Sequence, residues 1–362
     1  MSESAPEQRD ELVEELETST STRLPWRALA RRSVTIVVAG VAIYLVFPAL
    51  LDVFSAWPRL TTLQPAWFAV AAVAELLHFL CTFSLQRIAL RTTAWFSVVT
   101  AQLAGNSISL IIPGGAAAGA AVQFRMLEQS GLDSTDTVGG LTAFSLLGIG
   151  GLFALPLFAL PVILVGSPIS TGLYNAVILG SIGFAIFAGL GAAVLAFDWP
   201  LEICGRAVAA VRNSIFRSRP PLEGLGKTLL HQRDMIREVL GKRWKEAVLL
   251  SAGRLGFDYL CLLAAIKATG ASPRPSLVMV AYAAAGIIGL IPITPGGLGV
   301  VEASLTGFLI LAGVDASSAV LATLAYRLAS YWIPLAAGPF AYGAYRHRWR
   351  RQHDALDMPS VE

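Results

Sequence analysis

Ten apolar runs of 17 to 27 residues fill most of the chain from Ser33 to position 343. They lie at about 33 to 54, 65 to 85, 94 to 112, 114 to 131, 137 to 162, 172 to 197, 247 to 267, 276 to 294, 296 to 312 and 317 to 343. About 20 apolar residues are what the hydrocarbon core of a bilayer asks of one helix, and no water-soluble core could absorb so many such runs. Composition agrees: only 14% of the 362 residues are charged, against about 25% in ordinary soluble domains. The 33 glycines and 19 prolines fit as well, since both residues are more frequent in transmembrane helices than in soluble ones. The expected fold class is an all-α polytopic membrane protein.

The polar stretches give domains and orientation. Residues 1 to 22 carry Glu3, Glu7, Asp10, Glu11, Glu14, Glu15 and Glu17, too acidic for a signal peptide. They read as a disordered tail or as a short helix around Glu11 to Leu16. A first membrane half is expected over 23 to 197, a basic linker over 198 to 246, a second membrane half over 247 to 345 and a basic tail over 346 to 362. Lys and Arg near span ends favour the cytoplasmic side. The 86 to 93 connection holds Arg87 and Arg91, the 198 to 246 segment holds ten Lys or Arg against six acids, and Arg346, Arg348, Arg350 and Arg351 follow the last run. The opposite connections hold only Arg59 and Arg274. A multi-pass protein of the cytoplasmic membrane with both termini inside is expected. The 198 to 246 segment reads either as surface helices against the anionic leaflet or as a solvated linker.

Sliding the sequence against itself by 182 positions lays Pro113-Gly114-Gly115 on Pro295-Gly296-Gly297, then Gly131 and Asp133 on Gly313 and Asp315. Seven of the 21 aligned positions are identical, and the same offset carries the runs at 65, 94 and 137 onto those at 247, 276 and 317. With a cytoplasmic N-terminus, the run at 65 and its partner at 247 cross in opposite senses, so the repeat is expected to be inverted. The Pro-Gly-Gly elements break helices either between two full spans or at the tips of re-entrant hairpins, giving ten spans or eight plus two hairpins. Inverted repeats with broken helices are a recurring construction of secondary transporters.

Ionisable groups are expensive inside a membrane and turn toward partners or a pathway. Glu75 and His78 stand at i, i+3; Arg254 and Asp258 stand at i, i+4, an ion-pair spacing. Asn106 precedes the first break and Arg125 follows it; Glu302 follows the second, and Arg327 lies in the last run. Each has two readings. Arg254 with Asp258, and Glu302 with Arg327, are structural pairs or ligand contacts; His78 is a hydrogen-bonded interior histidine or a proton relay. Each Pro-Gly-Gly is a plain helix break, or it opens a helix whose exposed N–H groups favour an anion.

Soluble chemistry is not encoded. Gly224-Leu225-Gly226-Lys227-Thr228 ends like a phosphate-binding loop, but position 221, where its first glycine belongs, is Pro221. His78, His231, His347 and His353 are scattered, and Cys81, Cys204 and Cys261 form no metal or disulfide pattern. A net charge of +3 concentrated at span ends suggests no nucleic-acid partner. No cofactor, metal or catalytic residue is expected.

The sequence Pro295-Gly296-Gly297-Leu298-Gly299-Val300-Val301-Glu302, with Gly313 and the block from Tyr326-Arg327-Leu328 to Ile333-Pro334, resembles the lysylphosphatidylglycerol synthase transmembrane-region family. That family is the flippase-like membrane part of the multiple peptide resistance proteins. The resemblance covers about residues 33 to 345. It implies a protein that moves or presents a lipid headgroup, with Pro295, Gly296, Gly297, Glu302 and Arg327 as its polar core. Bifunctional members continue into an aminoacyl-transferase domain that this sequence lacks, so a stand-alone member is expected.

The expected function is therefore transport of an anionic or phosphate-containing lipid, without enzymatic activity. Arg327, Glu302, Arg254, Asp258, Arg125, Glu75, His78 and Asn106 are the candidate substrate contacts. Pro113, Gly114, Gly115, Pro295, Gly296 and Gly297 are the structural breaks. The rival readings are a secondary transporter of a small amphipathic or anionic solute and a non-catalytic partner of a lipid synthase. The expected partners are a lipid substrate and the bilayer, with a lipid-synthesis enzyme or a second copy of the chain as further ones.

Overall fold

The computed structural model describes residues 64–112, 115–155, 157, 171–215, 225–289 and 294–356. The expected acidic tail, the run at 33 to 54, and Pro113 and Gly114 lie outside the described residues. Those that are described form helices and turns, with no strand among them. In a bilayer this follows from the backbone, whose polar groups find no water and must pair within their own segment.

The first membrane half contains α1 (Pro65–Ala89), α2 (Trp95–Ile111), α3 (Ala116–Gln129), α4 (Ser134–Ala154) and α5 (Thr171–Ala196). Next come α6 (Trp199–Ile215) and the 44-residue α7 (Leu225–Ala268), which bends at Arg243, where φ is −121° and ψ 23°. The rest comprises α8 (Pro275–Gly289), a tight turn at Pro295–Gly297, α9 (Val300–Leu311), α10 (Ala316–Arg327), a widened π turn at Leu328–Trp332 and α11 (Ile333–Leu356). Among the described residues five helical stretches are long and apolar enough to cross a membrane: Pro65–Ala89, Ser134–Ala154, Val177–Ala196, Arg243–Ala268 and Ala316–Trp349. Leu76, Leu179, Leu249 and Phe340 stay exposed, as side chains facing lipid should.

The arms around the breaks are shorter. The 14 residues of α3 and the 12 of α9 rise roughly 21 and 18 Å at 1.5 Å per residue, short of a core about 30 Å thick. Close glycine contacts fold these arms together. A Cβ on Gly119 would stand 2.3 Å from the Gly105 carbonyl oxygen, so α2 and α3 pack backbone to backbone there. α11 lies along α2 in the same manner: a Cβ on Gly338 would meet Ser107 at 2.2 Å, and the Ser107 hydroxyl donates to the Leu335 carbonyl at 2.9 Å.

The 182-residue offset is visible in the backbone. Gly131 and Gly313 close their helices at φ 89° and 91°, the left-handed terminus that glycine adopts without strain. Asp133 and Asp315 then cap α4 and α10, each accepting from the backbone N–H groups two and three residues on. α1 and its offset partner α7 lie side by side. The Gln64 amide reaches the Ala268 carbonyl, His78 reaches Arg254, and Cys81 lies by Gly253. Numbers rise on one helix as they fall on the other, so this pair is antiparallel.

The basic segment after α5 is helical where described. Arg233, buried on α7, donates to Asp198 Oδ1 at 2.5 Å and to the Phe197 carbonyl at 3.2 Å, fastening the start of α7 to the α5–α6 corner. From there α7 runs through the bend at Arg243 directly into its membrane stretch. α11 likewise continues as helix to Leu356, through the basic residues that follow the last apolar run.

Candidate functional site

The second break builds one polar cluster. Gly296, Gly297 and Gly299 take φ of 56°, 72° and 78°, a run of left-handed residues that side chains with a Cβ resist. The chain thereby turns into α9 within a few residues, and the Thr294 hydroxyl ties the turn to the Leu298 carbonyl at 2.8 Å. Glu302 folds back on the helix start, where its Oε2 accepts the Gly299 N–H at 2.8 Å. A carboxylate of the protein itself thus stands at this helix start.

The other oxygen of Glu302 accepts from Arg327 Nε at 2.6 Å. Arg327 is 8% exposed. Its Nη2 donates to the Gly296 carbonyl at 3.3 Å, and its guanidinium carbon lies 4.2 Å from the centre of the Tyr331 ring. The Tyr331 hydroxyl crosses to the first half and donates to the Leu110 carbonyl at 3.2 Å. A Cβ on Gly296 would stand 2.6 Å from the Tyr331 ring and 3.0 Å from that carbonyl. The approach to the first break and the second break itself therefore meet, joined by Tyr331. The π turn displays Tyr331 four residues after Arg327, with both side chains directed at the same turn.

A second cluster lies midway along α1 and the membrane part of α7. Asp258 accepts from the hydroxyl of Tyr282 on α8 at 2.5 Å and from that of Tyr326 on α10, 3.0 Å from each carboxylate oxygen. Here the expected ion pair fails: Arg254 does not bridge to Asp258. The i, i+4 spacing permits that bridge, but the two tyrosines from neighbouring helices fill the carboxylate first. The Arg254 side chain leans instead on α4, where Gly148 leaves it room. A Cβ there would lie 3.2 Å from Nη2, and the Phe144 ring centre is 5.8 Å from the guanidinium. Arg254 Nε is buried with no hydrogen-bond partner.

Glu75 is 6% exposed; its Oε2 is buried and unpartnered. The Cys261 thiol faces its carboxyl group. His78 Nδ1 lies 2.9 Å from the Arg254 carbonyl oxygen. A carbonyl only accepts, so Nδ1 carries the hydrogen and the interior-histidine reading describes this contact.

Of the eight candidate residues, the structure thus gathers Arg327 with Glu302, and Glu75, His78, Arg254 and Asp258 into a second group. Among the described residues no contact joins Arg125, exposed on α3, or Asn106, half-buried on α2, to either cluster. Gly115 is right-handed at φ −66°, unlike its counterpart Gly297. Sequence reasoning missed Tyr282, Tyr326, Tyr331 and Gly148. Two of the tyrosines flank Arg327 within the motif block, which was the available signal.

Long apolar helices carrying two buried charge clusters define a polytopic membrane protein. Residues 37–338 match the Lysylphosphatidylglycerol synthase TM region family. Two matches to UPF0104 membrane proteins of Methanothermobacter thermautotrophicus show 34% identity over 92 residues and 42% over 65. They cover 25% and 17% of this chain, and only 26% and 19% of those relatives' lengths. With the family match extending over most of its length, the chain belongs to the lysylphosphatidylglycerol synthase transmembrane-region family.

Proposed function

We propose that this protein carries an anionic or phosphate-bearing lipid across the membrane, with Arg327 as the headgroup cation and Glu302 as its partner when no lipid is bound. The observation that carries this reading is a buried guanidinium set at the break of a membrane helix. It uses Nε on Glu302 and Nη2 on the Gly296 carbonyl, while Nη1 donates to no group among the described residues. A planar guanidinium suits phosphate oxygens. An incoming anion competes with Glu302 for the same donors, and the carboxylate it displaces keeps the Gly299 N–H at the start of α9. The acyl chains stay in the bilayer and need no desolvation.

Family membership supports a lipid-related role, and the short arms α3 and α9 support a site at depth between the two halves. The test is reconstitution of the full chain into liposomes with a panel of fluorescent lipids. Phosphatidylglycerol should cross faster than in protein-free vesicles and faster than a neutral diacylglycerol analogue. Equal movement of both, or accumulation of a water-soluble anion with no lipid movement, would overturn the proposal.

A further inference from the structure

The cluster of Glu75, Asp258 and Arg254 is one charge short of balance. Two carboxylates face it, from α1 and α7, with one guanidinium, that of Arg254. The other facing groups are His78 on α1, Cys261 on α7, Tyr282 on α8 and Tyr326 on α10. α4 presents Phe144 and Gly148, neither of which titrates, and the Tyr259 hydroxyl is turned away to the Pro275 carbonyl at 2.5 Å. The imidazole of His78 donates from Nδ1 to a carbonyl and is neutral while Nε2 keeps its lone pair. The cluster then carries one uncompensated negative charge near the middle of two membrane helices, where such charge is costly. One proton removes it.

The unpartnered atom shows where. Asp258 already accepts from two tyrosine hydroxyls. Glu75 Oε2 is sealed from solvent and has no hydrogen-bond partner. As a carboxylic acid, Glu75 loses the charge that burial opposes.

We propose that Glu75 and Asp258 bind one exchangeable proton between them, and that Tyr326 transmits its arrival and departure to Arg327. Tyr326 donates to Asp258, while the next residue, Arg327, donates to Glu302. A change in how strongly Asp258 holds the tyrosine therefore pulls on the backbone that carries the headgroup cation. The proton site stands on the cluster alone. Its coupling to Arg327 rests on the transport reading above.

The experiment is infrared spectroscopy of the full chain in liposomes, paired with phosphatidylglycerol movement under an imposed pH gradient. At pH 7 the wild type should show a carboxylic-acid C=O band that shifts in heavy water. Glu75→Gln should abolish it and Asp258→Asn should alter or abolish it, whereas His78→Gln should keep it. Tyr326→Phe should retain the band and lose the response of lipid movement to the gradient. Absence of the band in the wild type, or its survival in both Glu75→Gln and Asp258→Asn, overturns the proton site. A Tyr326→Phe variant that still responds to the gradient overturns the transmission. A wild type with the band but no lipid movement at any gradient leaves the proton site standing and refutes the transport reading instead.

Discussion

The hairpin that closes at Gly131 and the one that closes at Gly313 end alike and differ in charge. Both end in a left-handed glycine followed by an aspartate cap. At the same 182-residue offset, Glu302 and Arg327 fall on Ala120 and Ser145, Arg254 and Asp258 on Ala72 and Leu76, and Glu75 and His78 on Phe257 and Leu260. The closing glycines and aspartate caps thus recur at the offset, while these charges do not. The second cluster forms where α1 meets its own counterpart α7, so two unlike copies of one helix build a site that neither could build with a duplicate of itself. Among the described residues no ion pair joins the helices that flank the first break. Instead, the first half fastens itself with neutral amides, Gln86 donating to Gln123 at 3.0 Å between α1 and α3.

Matched substitutions test that division, and the largest effect is expected at the ion pair. Arg327→Ala strands the Glu302 carboxylate in a mostly buried place and should cost about 3 to 5 kcal/mol of stability. Its counterpart Ser145→Ala, at an exposed side chain that bonds only the Leu141 carbonyl, should leave thermal unfolding in detergent unchanged. Next in size is Gly296→Ala. A left-handed alanine costs about 1 to 2 kcal/mol, and its Cβ must also displace the Tyr331 ring. Both unfolding and a crosslink engineered between the Tyr331 and Leu110 positions should register the shift.

Smaller and equal effects should follow at the shared elements. Gly131→Ala and Gly313→Ala meet no neighbouring atom within 4 Å, so each should cost about 1 kcal/mol, from the backbone alone. Unequal costs in unfolding experiments would break the equivalence of the two hairpins. The smallest effect is acid sensitivity at the caps. The backbone N–H groups of Asp136 and Thr135 hold the Asp133 carboxyl below its usual range, and the Ser317 hydroxyl with the Ser318 and Ser317 N–H groups does so for Asp315. Because these groups are held low, their contribution is complete at neutral pH and fades as the pH falls through the acidic range. Asp133→Asn with Asp315→Asn should flatten the low-pH limb of a melting-temperature profile while leaving its neutral plateau nearly in place.

Much of this was legible in the sequence because it is local. The Pro295-Gly296-Gly297 break, the closing glycines and the aspartate caps are properties of short segments, and the offset exposed them. Glu302 and Arg327 were candidates for pairing because they lie at similar depth in consecutive helices. The second cluster was misjudged where tertiary geometry decides. Spacing along α7 put Arg254 beside Asp258, but the tyrosines that fill Asp258 come from α8 and α10, and the space that draws Arg254 away is a glycine on α4. The course of α7 was equally hidden: a basic, polar stretch and an apolar one read as separate segments, whereas a single bend at Arg243 joins them.

The central claim is that Arg327 binds the headgroup rather than merely holding two helices together, and one doubly substituted protein tests it most directly. Glu302→Gln with Arg327→Gln removes both charges, so no buried charge is left without its partner. This variant should melt close to the wild type in detergent, yet move fluorescent phosphatidylglycerol across liposomes no faster than protein-free vesicles. Wild-type rates of lipid movement in the folded double variant would contradict that claim, for the pair would then be structural and the headgroup would be held elsewhere.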